Sequence, residues 1–103
     1  MTFWVYILRC ADSSYYTGHT DNLESRIGEH QAGIYPSYTS YRLPVEHVWS
    51  QECFSREEAI AAERQIKNWS RKKKEAMIMG HWAEVSLLAK KDFTKWSFIA
   101  LLQ

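Results

Sequence analysis

Two apolar stretches separated by small polar residues open the chain. The first spans residues 3–8 and the second residues 14–20, and the segment between them is typical of a turn. We therefore predict an antiparallel hairpin over residues 3–18. Side chains alternate between the two faces of a strand, and the hairpin is expected to place Tyr6 and Tyr16 near one another.

A helix is predicted next, over about residues 22–32. Asp21 can accept hydrogen bonds from the first-turn amides, and Gly33 is a typical stop signal. The apolar positions of this segment are Leu23, Ile27 and Ile34. Arg26 and His30 are four residues apart, and steps of about 100° place both at the edge of the apolar face. There they can project into a cleft, although an arginine at such an edge can also extend along the core to solvent.

Residues 34–44 contain both prolines and three tyrosines, a composition that indicates a loop. Its aromatic rings can stack on bases and Arg42 can bind a phosphate, but tyrosines also anchor loops without any ligand. Residues 45–54 alternate loosely between apolar and polar positions and are predicted to form a third strand. The side chains expected on one of its faces are Val45, His47, Trp49 and Cys53.

The most informative single position is Glu63. Ser55 begins a predicted second helix that extends to about Trp69. On a helical projection Glu63 falls inside the apolar face, whose other members are Ala59, Ala62, Ile66 and Trp69. A carboxylate on the core side is costly unless it is paired, hydrogen-bonded or bound to a metal. An ion pair with Arg26 is the structural explanation, and a divalent metal site is the functional one.

A dense basic segment follows Glu63. Its cations are Arg64, Lys67, Arg71, Lys72, Lys73 and Lys74. Within it, Ser70 is expected to cap a short helix that ends at Gly80. A lysine run is most often only a solvated surface. Here it lies next to an inward glutamate and a tryptophan, while acidic residues are concentrated elsewhere, and this segregation favours a phosphate-binding surface.

Length and composition indicate the class of protein. A chain of 103 residues, 46% of them hydrophobic, suffices for one folded core. The predicted order is strand-strand-helix-strand-helix-helix plus a C-terminal helix. This is an α+β fold with a three-stranded antiparallel sheet flanked by helices. No apolar run approaches the ~20 residues of a membrane span, and no basic leader is evident, so we expect a cytoplasmic protein without a membrane partner. Cys10 and Cys53 are expected to be buried free thiols.

The ordered set of residues resembles the GIY-YIG nuclease superfamily, especially its small stand-alone bacterial members of the UPF0213 type. Trp4–Tyr6 and Tyr16–Gly18 stand where the two signature triplets fall, although Trp4 replaces a glycine and Thr17 an aliphatic residue. Glu63–Lys67 looks like the metal-binding Glu-x-x-Ile-Lys segment of the family. Residues 66–74 are similar to an extension that marks the small members. The resemblance covers roughly residues 3–80 and rests on the spacing of several short motifs together.

The resemblance implies a catalytic domain over residues 1–80, with residues 81–103 as a helical extension packed on it. The implied activity is a metal-dependent endonuclease that hydrolyses phosphodiester bonds in duplex or branched DNA, selects by structure, and serves repair or recombination. Its catalytic residues would be Tyr6, Tyr16, Arg26, His30 and Glu63. Glu63 would hold one Mg²⁺ or Mn²⁺ ion.

Nucleic-acid contacts are expected from the basic residues Lys67, Arg71, Lys72, Lys73, Lys74, Arg42 and His19. The last of these lies where some members of the family carry a lysine. Two other functions remain open from the residues: a nucleic-acid-binding module on the same scaffold that cuts nothing, and a small interaction domain in which Glu63 is simply paired. A partner protein that supplies specificity is compatible with each of them.

Overall fold

Three antiparallel strands form the sheet that the hydrophobic pattern predicts. The computed structural model describes residues 2–34, 37–81 and 83–85. Its strands are β1 (Phe3–Arg9), β2 (Tyr15–Thr20) and β3 (Glu46–Cys53), with β1 in the centre of the sheet. Within the described ranges β2 therefore forms one edge of the sheet and β3 the other.

The pairing of β1 with β2 confirms the predicted hairpin. Tyr6 lies opposite Gly18, and Leu8 lies opposite Tyr16. Directly opposed residues share a face of the sheet, so Tyr6 and Tyr16 are diagonal neighbours on one face. The alternate residues of β2, including Thr17, point to the other face.

Helices cover both faces of the sheet. They are α1 (Leu23–Ala32), α2 (Arg56–Lys67) and α3 (Arg71–Ile78), and a short 3₁₀ turn over Tyr38–Tyr41 lies between α1 and β3. The order strand-strand-helix-strand-helix-helix is thus the predicted one. Across the described ranges, none of the helices is long and apolar enough to cross a membrane.

The ends of the helices follow capping rules with one change from the prediction. Ser55 and Ser70 cap α2 and α3 as expected, each accepting a hydrogen bond from a first-turn amide. The cap of α1 is Asn22 rather than Asp21, because the Asn22 side chain accepts the amide hydrogen bond of Ser25 at 3.2 Å. α1 ends at the predicted glycine, Gly33, which has a left-handed φ of 70°.

Two expectations about apolar positions are wrong. Ile34 is 70% exposed, so it does not extend the apolar face of α1 past the end of the helix. In β3, Trp49 pairs with Ile7 but the next pair joins His47 to Leu8, which makes Val48 an extra residue in a β-bulge. The side chains expected on one face are therefore divided, with Val45 and His47 facing α1 and Trp49 and Cys53 facing α2.

The two faces of the sheet bury separate cores. The larger core lies under α2 and α3 and includes Val5, Ile7, Cys53, Ala59, Ala62, Ile66, Trp69, Met77 and Val85. The smaller core lies under α1 and consists of Tyr6, Leu8, Cys10 and Val45, with Tyr16, Leu23 and Ile27 packed against it. Both cysteines are buried free thiols, as predicted, and burial raises the pKa of each. Most of the predicted extension over residues 81–103 lies outside the described residues.

Candidate active site

The smaller core contains a chain of buried polar groups that starts at Tyr6. The ring of Tyr6 lies across β2 over Gly18, where a Cβ atom would be only 2.6 Å from the Tyr6 Oη atom. From there the Tyr6 Oη atom lies 3.0 Å from Nε2 of His30, in the last turn of α1. The His30 Nδ1 atom lies 2.6 Å from Oγ1 of Thr39, which lies 3.1 Å from the Ser37 hydroxyl. Both ring nitrogens of a nearly inaccessible histidine are thereby hydrogen-bonded.

The surroundings of His30 keep it neutral. Burial lowers the pKa of His30, the positive charge of Arg26 lowers it further, and Glu29 opposes them only in part. In a neutral imidazole one ring nitrogen donates and the other accepts. His30 can therefore connect the hydroxyls of Tyr6 and Thr39 as donor to one and acceptor from the other.

Planar groups pack against one another in a row that extends from His30 to the surface. The Tyr16 ring lies 5.1 Å from His30 and 6.3 Å from Tyr38, between ring centroids. The guanidinium of Arg42 lies 3.6 Å above the Tyr38 ring, and its Nε atom is 3.2 Å from the carboxylate of Asp12. Arg42, predicted to contact nucleic acid, thus holds the loop that carries Thr39 against the hairpin.

On the opposite face of the sheet, Glu63 is half-buried, as its position on the helical projection predicts. Its side chain is 18% exposed, with Oε1 2.7 Å from His19 Nδ1 and Oε2 2.8 Å from Lys67 Nζ. Arg26, considered as its partner from the sequence, forms an ion pair with Glu29 at 3.2 Å instead. Burial raises the pKa of Glu63, but the hydrogen bonds from Lys67 and His19 outweigh it, so that the pKa lies below its ordinary value.

An ionised, partly accessible carboxylate is a suitable ligand for a hard divalent cation. Throughout residues 2–34, 37–81 and 83–85, no three His, Cys, Asp or Glu side chains form a metal-ligating group. Magnesium needs no such group, because it keeps several water ligands and is commonly held by one or two carboxylates and substrate phosphates. The Glu63 carboxylate fits this requirement.

The two sets of side chains meet at the edge strand β2. A cleft of about 270 Å³ lies at the C-terminal end of the strand, and the described residues that line it are Phe3, His19, Thr20, Asp21, Arg26 and Arg56. Lys67 and Lys74 line a second cavity of about 410 Å³ with Tyr15, Tyr16, Thr17 and Tyr38, at its N-terminal end. We call this second cavity the lysine groove. Glu63 connects the two cavities, since it pairs with His19 at one and Lys67 at the other.

The basic run predicted from the sequence does not act as one surface. Lys72 is exposed, whereas Lys73 is buried with its ammonium 4.2 Å from the centre of the Trp69 ring. Arg71 pairs with Glu75 at 3.2 Å, donates to the Ser13 carbonyl oxygen at 2.6 Å and covers the ring of Tyr15. Only Lys67 and Lys74 of this run line the lysine groove.

The sequence interpretation did not single out Thr39 or Ser37. Both lie in a loop without periodicity, and their role depends on a contact with His30 nine residues before Thr39. In the sequence, Ser37 and Thr39 are simply small polar residues between two prolines, and this composition does not indicate a contact with His30.

The chain matches one protein family and is similar to proteins of other organisms. The family described as "GIY-YIG catalytic domain" matches residues 2–76. A UPF0213 protein of Natronomonas pharaonis is 45% identical over 75 residues, which cover 73% of this chain and 88% of the relative. A UPF0213 protein of Lacticaseibacillus paracasei is 37% identical over 83 residues, covering 81% and 93% of the two chains.

Two solved structures share the fold. The solution NMR structure of a UPF0213 protein from Bacillus halodurans is 40% identical and superposes with a TM-score of 0.51, covering 77% of this chain and 84% of that one. The solution NMR structure of a protein from E. faecalis is 33% identical with a TM-score of 0.55, covering 81% and 88%.

Proposed function

The chain belongs to the GIY-YIG catalytic domain family, and on this premise we propose that it is a metal-dependent endonuclease that hydrolyses DNA and selects its substrate by shape. The observation that carries the proposal is the arrangement around β2. A half-buried, ionised Glu63 lies on one side of this strand and pairs with one lining residue of each of the two cavities. The hydrogen-bonded pair of Tyr6 and His30 lies on the other side.

Phosphodiester hydrolysis requires a positioned water molecule and stabilisation of the negative charge that develops on the phosphoryl oxygens. Arg26 lines the cleft beside His19, and its guanidinium suits a phosphate because several donors are held in one plane. We assign to Arg26 the binding of the phosphate that is cleaved. His19 would add a second donor at the same cleft.

We propose that Tyr16 is the tyrosine that contacts the attacking water. It lines the lysine groove, whereas Tyr6 is 1% exposed and bonded to His30. We therefore assign a catalytic role to Tyr16, and a positioning role to Tyr6 and His30, which fix the aromatic cluster behind it. A tyrosine with the ordinary pKa near 10 is protonated at neutral pH, so it can accept a proton from the water only where neighbouring positive charge stabilises its phenolate form.

Glu63 would hold a single Mg²⁺ or Mn²⁺ ion. When bound, such a cation supplies Lewis-acid stabilisation of the charge on the phosphoryl and leaving oxygens. The low pKa of Glu63 keeps its carboxylate ionised and ready to bind through the neutral pH range. His19 and Lys67 orient the two carboxylate oxygens.

Selection by shape is supported by the kind of groups that face the two cavities. Most are ammonium, guanidinium, imidazole and phenol groups, which suit phosphates and sugars, and Asp21 is the one carboxylate among the described lining residues. Contacts to the backbone carry no direct sequence information. A branched or flapped DNA that presents its backbone along the edge of β2 is the substrate class that we propose.

The test is cleavage of labelled duplex, single-stranded, flapped and branched DNA with Mg²⁺ or Mn²⁺. We expect metal-dependent cutting that is lost in Glu63→Gln and Arg26→Ala. Glu57→Gln is the matched control, since it removes the same charge from an exposed position in the first turn of α2.

Two results would contradict the proposal. Salt-sensitive binding without cutting, equal in wild type and Glu63→Gln, would favour a binding module on the same scaffold. The absence of both cutting and binding with every substrate, while the protein remains folded, would favour a domain in which Glu63 serves only its ion pairs.

A further inference from the structure

The lysine groove brings two positively charged side chains together. Its ammonium groups come from two different helices, Lys67 from the end of α2 and Lys74 from α3. The described residues that line it include no carboxylate. The groove also wraps around the edge of the sheet, because Thr17 and Tyr16 belong to opposite faces of β2.

Lys74 is the more unusual of the two lysines. Lys67 has a carboxylate partner in Glu63, but within the described parts of the chain no ion pair or hydrogen bond is found for the Lys74 side chain. Lys74 is also only partly accessible, and burial, with the nearby charge of Arg71, lowers its pKa. A partly desolvated cation beside another cation is unfavourable unless an anion binds there.

The neighbouring cations of α3 are less suited than Lys74 to bind an anion in the groove. Arg71 is held by Glu75 and the Ser13 carbonyl, and Lys73 is buried against Trp69. Lys72 is exposed and is not among the described lining residues. The basic run is thus reduced to one convergent pair of lysines in a cavity.

We infer that Lys67 and Lys74 form a discrete site for one backbone phosphate, a short distance along the same DNA strand from the phosphate that is cleaved. A compact ammonium group binds phosphate as a point charge, and two of them in one groove suit a single phosphate group. The groove lies close to the proposed reaction centre, because Tyr16 lines it and the Tyr16 ring packs 5.1 Å from His30, between ring centroids. The position relative to the cleaved bond rests on the proposed nuclease function, whereas the phosphate site itself does not.

The first experiment measures binding of a labelled flapped DNA by fluorescence anisotropy, in EDTA to prevent cleavage, over a series of salt concentrations. Each neutralised phosphate contributes about 0.9 to the slope of log K against log salt. We expect Lys74→Gln to weaken binding several-fold and to reduce this slope by about one. Lys72→Gln removes the same charge two residues away in α3, and we expect it to reduce the slope by less than half of the change seen in Lys74→Gln.

Equal slopes for Lys74→Gln and Lys72→Gln would overturn the site, because the basic run would then be a diffuse surface. The proposed nuclease function would survive that result. Melting temperatures check that both variants fold, and removal of a partly desolvated charge should leave the melting temperature of Lys74→Gln unchanged or raise it.

The second experiment replaces single phosphates of the DNA with neutral methylphosphonates, one position at a time. We expect a methylphosphonate at one position, close to the cleaved bond, to weaken binding to wild type, and the same replacement to have no effect in Lys74→Gln. A uniform loss at all positions would overturn the inference. If one phosphate position is sensitive but the DNA is never cut, the phosphate site stands and the proposed nuclease function is refuted.

A third experiment tests whether the site binds a phosphate of a DNA strand or a free phosphate ion. Inorganic phosphate is titrated into the protein, and its dissociation constant is compared with that of the oligonucleotide. We expect inorganic phosphate to bind at least a hundredfold more weakly. Comparable affinities would identify a small-anion site and overturn the assignment to a DNA strand.

Discussion

Gly18→Ala tests whether the geometry around Tyr6 holds the site together. A Cβ atom at position 18 would lie 2.6 Å from the Tyr6 Oη atom and 2.7 Å from its Cζ atom. Ordinary contact begins near 3.4 Å, so the Tyr6 hydroxyl must move by at least about 0.8 Å. The Tyr6–His30 hydrogen bond is 3.0 Å long, and a displacement of the hydroxyl by this amount disturbs its length and angle.

The ring has little space for this movement. Tyr6 is packed in the smaller core with Leu8, Cys10 and Val45. Overpacking and the disturbed hydrogen bond together are expected to lower the free energy of unfolding by about 2–4 kcal/mol. If the proposed function holds, cleavage should fall by about a hundredfold, since a displacement near 1 Å at a catalytic site has that effect.

Urea denaturation measures the change in stability, and the ring resonances of His30 report its hydrogen bonds. Gly28→Ala is the matched control, because nothing lies within 4 Å of its Cβ position and the residue is inside α1. The control is expected to gain about 0.5–1 kcal/mol of stability. Wild-type stability and unchanged His30 resonances in Gly18→Ala would refute the reasoning.

The polar side chains inside the fold should make its stability depend on pH and on single hydrogen bonds. The pKa of His30 is lowered from 6.5, so the unfolded state binds a proton at this histidine more readily than the folded state. The free energy of unfolding should therefore fall as the pH drops below about 6.5, and His30→Gln should flatten this part of a plot of urea midpoint against pH. Thr39→Val should cost about 1–3 kcal/mol in the same assay, because it leaves His30 Nδ1 without its partner, and Thr39→Ser should restore most of the loss. The pKa of Glu63 is also lowered, so its stabilising effect is present at neutral pH and lost below about 4.5; an unchanged acid profile in Glu63→Gln would show that its ion pairs are absent in solution.

Local patterns predicted the elements of the fold well. Alternation in the hairpin places Tyr6 and Tyr16 on one face, and the serines at positions 55 and 70 cap helices as expected. These features depend on neighbouring residues, which a sequence displays directly. Helical spacing also predicted that Glu63 faces inward.

The errors arise where one residue changes the geometry or where the partner is distant. Val48 forms a bulge, which reverses the alternation of β3 and cannot be read from a weakly alternating strand. The neighbours of Glu63 come from an adjacent strand and from its own helix, so its pairing with His19 required the three-dimensional structure. In the basic run, charge alone did not distinguish the buried Lys73 from the exposed Lys72.

The location of the candidate site at a sheet edge also affects how copies of this protein interact with each other. Along the described chain no strand pairs with the outer side of β2, and unpaired strand edges promote edge-to-edge aggregation. Lys67 and Lys74 lie at one end of this strand and Arg26 at the other. A second copy that approached edge to edge would bring these cations together, and their repulsion opposes association. We therefore expect the charges that we assign to substrate binding also to oppose aggregation, and neutralising them should lower colloidal stability even where the fold is unaffected.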